Sequence, residues 1–99
     1  MLFMVIERFK DRNPRPIYQR LAEGGRSMPE GLSYEGSWIE ANFDRCFQLM
    51  ATDDIGLLQQ WMLGWDDLMS FEIVPVTTSQ AMRELMAGLA KPAPEGGGL

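Results

Sequence analysis

Leu2-Phe3-Met4-Val5-Ile6 is a continuous apolar run rich in strand formers. Such a run fits a central strand covered on both faces. Lys10-Asp11-Arg12-Asn13-Pro14 ends it, and Pro14 and Pro16 are compatible with the first turn of a helix but not its interior. Ile17, Tyr18, Leu21 and Ala22 then recur at helical spacing until Gly24-Gly25, a stop signal. Pro29-Glu30-Gly31 marks a turn. A second strand is expected over Ser33–Ala41, a three-residue hairpin loop over Asn42–Asp44, and a third strand over Arg45–Ala51. Thr52-Asp53-Asp54 is an N-cap signal for a helix running to Asp67, with Leu58, Trp61, Trp65 and Leu68 in one stripe. Strand four follows over Ser70–Thr77, and Pro75 assigns it to a sheet edge or its own end. Thr78 or Ser79 caps a third helix bearing Met82, Leu85, Met86 and Leu89, which Lys91-Pro92 terminates.

The order β-α-β-β-α-β(α) predicts an α+β, ferredoxin-like domain over residues 1–91, with a four-stranded antiparallel sheet in the order 4-1-3-2. Pro92–Leu99 is Pro/Gly-rich and is expected to form a flexible tail. A three-residue loop sets Ala41 opposite Arg45, Ile39 opposite Phe47 and Trp38 opposite Gln48. One face then collects Ile39, Phe47 and Leu49, which should meet the helices. The other collects Trp38, Glu40, Cys46, Gln48 and Met50, joined by Glu72, Val74 and Val76. That second face is too apolar to stay fully wet. We expect a homodimer through it, forming a dimeric α+β barrel, in preference to coverage by helix three. The pattern does not decide whether Glu7 or Arg8 faces it.

Composition removes much chemistry. The chain has 99 residues, 45% of them hydrophobic, which suffices for one packed core. It has no histidine and one cysteine, Cys46. Internal disulfides, Cys/His zinc sites, a proximal haem histidine and His-dependent triads are therefore excluded. Within its apolar run Cys46 reads as a small core residue, since Phe47 and Leu49 supply no base. Asp53-Asp54 and Asp66-Asp67 sit at the two ends of one helix without calcium-loop spacing, so no metal and no cofactor is expected. The net charge is −5, with six basic and three acidic groups in residues 1–26. That acidity disfavours nucleic acid, and strand three lacks the glycine- and base-rich motif of RNA-recognition domains. Met1–Ile6 is too short for a secretory core before Glu7 and Arg8, and no stretch approaches a membrane span. A cytoplasmic location with no membrane partner is the expectation.

Several motifs carry a resemblance. They are Met1-Leu2-Phe3-Met4-Val5-Ile6-Glu7-Arg8-Phe9-Lys10, Gly25-Arg26, Pro29-x-Gly31-Leu32-x-Tyr34, Ser37-Trp38, Cys46-Phe47-Gln48-Leu49-Met50, Trp61, Trp65-x-Asp67-Leu68 and Phe71-Glu72-x-x-Pro75-Val76. Over about residues 1–80 the chain resembles a small bacterial family, domain of unknown function 3303. The resemblance implies a ferredoxin-like fold and brings no activity, substrate or catalytic residue. By architecture alone the chain is also similar to dimeric α+β barrel proteins, which include cofactor-free monooxygenases, haem-degrading enzymes, isomerases and non-catalytic binding modules. Fold at that level does not determine function.

Three functions compete. A small-molecule-binding or regulatory homodimer would enclose a pocket with Trp38, Gln48, Glu72 and Arg26. The same face packed solid would make an interaction-only dimer. In a cofactor-free enzyme, Glu72 would be the base, Trp38 would stack a planar substrate, and Gln48 or Arg26 would hold an oxyanion.

Overall fold

The computed structural model describes residues 1–90. Its elements are β1 (Leu2–Phe9), α1 (Arg15–Gly24), β2 (Ser33–Ile39), β3 (Arg45–Ala51), α2 (Ile55–Leu63), β4 (Met69–Val76) and α3 (Ser79–Ala90), with a short 3-10 turn at Lys10–Arg12. The fold is α+β and ferredoxin-like. Its four strands lie in the order β2-β3-β1-β4, and every neighbouring pair is antiparallel. Pro75 sits in β4, an edge strand, as its missing N–H requires. The expected tail, Pro92–Leu99, lies outside the described residues.

α1 and α2 cover one face of the sheet. Phe3, Val5, Phe9, Met50 and Met69 from the strands pack there with Ile17, Leu58, Trp61 and Trp65. β1 is longer than the apolar run suggested. It continues through Glu7 to Phe9 because both neighbouring strands pair with it that far, Glu7 opposing Cys46 and Phe71. α2 is shorter than expected and stops at Leu63. Gly64 closes it, and the chain continues to Leu68 in tight turns, with Trp65 N–H bonded to Met62 O at 3.0 Å and Leu68 N–H to Trp65 O at 3.0 Å.

The hairpin corrects the expected register. Glu40 N–H donates to Arg45 O at 2.8 Å, so the loop has four residues, Ala41–Asp44, with Phe43 at φ 63°. Trp38 therefore opposes Phe47, and Ile39 opposes Cys46. A shift of one residue turns a strand over, because side chains alternate with a period of two. β3 is the strand that turns. Cys46, Gln48 and Met50 lie under the helices beside Phe3, Val5 and Glu7, whereas Phe47 and Leu49 join Trp38 and Glu72 on the uncovered face.

Candidate functional site

The buried strand positions that alternate inward include two that are not apolar. Glu7 on β1 and Gln48 on β3 are each only 5% exposed. They stand on paired strands, Glu7 opposite Cys46 and Val5 opposite Gln48, so all four side chains share the helix-facing side. Between that side and α1 is a cavity of about 110 Å³. Ile17, Tyr18 and Leu21 of α1 form its roof, Trp61 and Trp65 one wall, and Arg26 part of its edge.

Arg26 is held there by its backbone. Gly25, at φ 69°, ends α1 in a conformation that favours glycine, with its N–H on Leu21 O at 2.8 Å. The next carbonyl, that of Arg26, accepts both indole N–H groups, from Trp61 at 2.8 Å and Trp65 at 3.3 Å. The guanidinium then lies over the Tyr34 ring, 3.7 Å from its centroid. That geometry suits a cation–π contact and leaves the charge near the cavity. Tyr34 in turn shares a 2.7 Å hydroxyl contact with Ser37, which also lines the cavity.

Burial dominates the electrostatics. It raises the Glu7 carboxyl from 4.5 to about 7, against the opposing pull of the Cys46 thiol and the Arg26 charge. The Cys46 thiol, opposite Glu7 on the paired strand, is pushed up to about 12 by its own burial and by the charge and hydrogen-bonding capacity of that carboxylate. Cys46 thus has a neighbouring carboxylate that its sequence neighbours do not reveal. The carboxylate suppresses the thiolate instead of creating one, so Cys46 is not an activated nucleophile. Burial also raises the Tyr18 hydroxyl, with Cys46 and Glu7 adding to the shift and Arg26 opposing it.

Two buried polar groups are weakly satisfied. Among the described residues, the one side-chain partner of the Gln48 amide nitrogen is the Met50 sulfur at 3.3 Å, and Glu7 stands opposite the Cys46 thiol. Thioethers and thiols are poor substitutes for water or an oxygen partner. Both groups border the cavity, so its contents can complete them.

Of the residues singled out by sequence, Gln48 and Arg26 meet at this cavity. Trp38, 59% exposed, and Glu72, also exposed, lie on the opposite side of the sheet. The four therefore do not converge on one small ligand. Glu7, left undecided against Arg8, is the buried member of that pair, and Arg8 is exposed. Tyr18 and Ser37 were not foreseen as site residues: Tyr18 stood only in the helical spacing of the first helix and Ser37 only in the Ser37-Trp38 motif.

Residues 1–90 match a family described as a domain of unknown function, DUF3303. The chain belongs to that family. No curated protein and no solved structure matches it. The cavity therefore has to be read from the DUF3303 chain itself. Among the described residues no group of three or more His, Cys, Asp or Glu side chains is arranged to hold a metal. The paired acids have other partners. Asp54 caps α2 by accepting Gly56 N–H at 2.9 Å, and Asp67 holds Arg20 of α1 through contacts of 3.0 and 2.6 Å. No described helix of the DUF3303 domain is long and apolar enough to cross a membrane.

Proposed function

We propose that this DUF3303 domain is a homodimeric small-molecule-binding module, each protomer taking its ligand into the cavity between α1 and the sheet. One observation carries the reading: Glu7 and Gln48 are both 95% buried and both border the cavity, with the sulfur groups of Cys46 and Met50 as their side-chain neighbours. Sulfur is a weaker hydrogen-bond partner than oxygen or water, so a bound polar group would add the stronger bond. A cavity of about 110 Å³ is smaller than an apolar cavity of ~150 Å³ that takes up benzene. It suits the polar head of a molecule whose remainder passes Tyr18 and Arg26. The uncovered sheet face lies on the other side, so dimerisation and ligand binding use separate surfaces.

Native mass spectrometry of protein purified gently from its own host tests this. A reproducible small adduct is expected on the wild type and is lost in Gln48→Leu, which keeps the fold but removes the amide. A wild type without adduct, and with the same melting temperature as Gln48→Leu in the host's small-molecule extract, would overturn the proposal.

A second reading rests on the Glu7 carboxyl at about 7. A carboxyl near neutrality both accepts and donates protons, the property required of a general acid–base group. In that reading Glu7, not the exposed Glu72, is the base. Glu7→Gln would then bind the ligand and leave it unconverted.

A further inference from the structure

α3 is a helix without a neighbour. All twelve of its residues are exposed. Met82, Leu85, Met86 and Leu89 are 41%, 55%, 59% and 73% exposed. Their i, i+3, i+4, i+7 spacing puts them on a single stripe. The helix is properly started, since the Thr78 hydroxyl accepts Ala81 N–H at 3.0 Å. Yet a helix of about 12 residues is marginal in water unless an apolar face is packed.

The sheet has the complementary need. Met4, Ile6, Phe47, Leu49 and Val74 are only partly covered, and Trp38 stands 59% exposed among them. Thr77 and Thr78 alone connect β4 to α3, and the helix stays exposed along its whole length.

We infer that α3 of each protomer lies across the open sheet face of its partner, so that two copies exchange their C-terminal helices. The inference rests on the homodimer proposed above and specifies what fills the interface. Dimensions agree: twelve residues make a helix about 18 Å long, and four strands span about 14 Å between outer axes. Charges agree as well. Arg83 flanks the stripe and Glu72 is exposed on the open face, and among the described residues neither is in an ion pair. Burying each exposed Leu or Met side chain removes on the order of 100 Å² from water. With four such side chains per helix and a similar area of sheet covered beneath them, two reciprocal seats bury roughly 1,600 Å² in total, within the range of a specific dimer. A second copy is the occupant because it brings both a helix for this sheet and a sheet for this helix. The exchange thereby closes with two-fold symmetry.

The test uses the full chain carrying the photocrosslinking residue benzoylphenylalanine at position 89, prepared from equal amounts of ¹⁴N- and ¹⁵N-labelled protein mixed before irradiation. Crosslinked peptides of mixed isotope joining α3 to β1, β3 or β4 are expected. In parallel, Leu85→Asp/Leu89→Asp, which alters exposed positions of the protomer, should weaken the dimer by about a hundredfold or more while far-UV circular dichroism stays native. A dimer that ignores the double substitution and crosslinks elsewhere would overturn the exchange and leave the homodimer standing. A monomeric wild type, with crosslinks confined to one isotope, would overturn both.

Discussion

At the scale of the residue, Glu7 governs how this protein should respond to pH. Its carboxyl has a folded-state value of about 7 and an ordinary value of 4.5. Between those limits the folded protein holds a proton that the unfolded chain releases. Stability therefore falls as pH rises from about 4.5 to about 7 and is flat, for this group, outside that window. The displacement corresponds to a loss on the order of 3 kcal/mol. Glu7→Gln, a neutral isostere, should melt later than the wild type at pH 8 and equal it near pH 4. Chemical denaturation across that range checks the slope. An unchanged slope in Glu7→Gln would show that another group titrates. Position 7 also shows where sequence reading stops. A glutamate after an apolar run resembles the end of a strand. Nothing in the local pattern says that two neighbouring strands will continue to pair beside it and seal it from water.

At the scale of the element, turns and caps were the most legible features, because they depend on a few adjacent atoms. Asp54 caps α2 where Thr52-Asp53-Asp54 suggested, with the Thr52 hydroxyl accepting Asp54 N–H at 3.1 Å. Asp54→Ala should cost about 1 kcal/mol in denaturant unfolding. Gly31 closes the Pro29 turn at φ 91°, and an added Cβ would meet Leu57 Cδ1 at 2.9 Å. Gly31→Ala should therefore destabilise by about 1–2 kcal/mol, with D-alanine at the same position relieving the backbone part of that loss. The hairpin loop was harder. Asn42-Phe43-Asp44 lacks a glycine, and Phe43 takes the positive φ in its place. Loops of three and four residues leave both strands where they are but reverse one of them face to face. That single ambiguity moved Cys46, Gln48 and Met50 from one side of the sheet to the other.

At the scale of the whole molecule, α3 makes the chain long. The Cα radius of gyration is 18.3 Å, against about 12 Å for a compact chain of ninety residues. Small-angle scattering on the monomeric Leu85→Asp/Leu89→Asp variant should report an extended particle. A value near the compact limit would mean that α3 folds back onto its own sheet. The two sheet faces differ in what they do. The helix-facing side holds the core and the cavity with its two buried polar groups. The open side is apolar without being filled, and among the described residues α3 is the one element of matching character left exposed along its whole length.

The sequence by itself determined the element order, the antiparallel four-stranded sheet, the edge position of Pro75 and the chemistry barred by a chain without histidine. Those follow from local periodicity, from proline's missing donor and from composition. Only the tertiary structure decided which side of the sheet each β3 residue faces, and so that Gln48 joins Glu7 and Arg26 while Trp38 and Glu72 look the other way. The carboxyl's elevated pKa and the thiol's suppression were decided there too. Both are effects of lost solvent, and burial arises from residues forty positions apart closing over the same few ångströms.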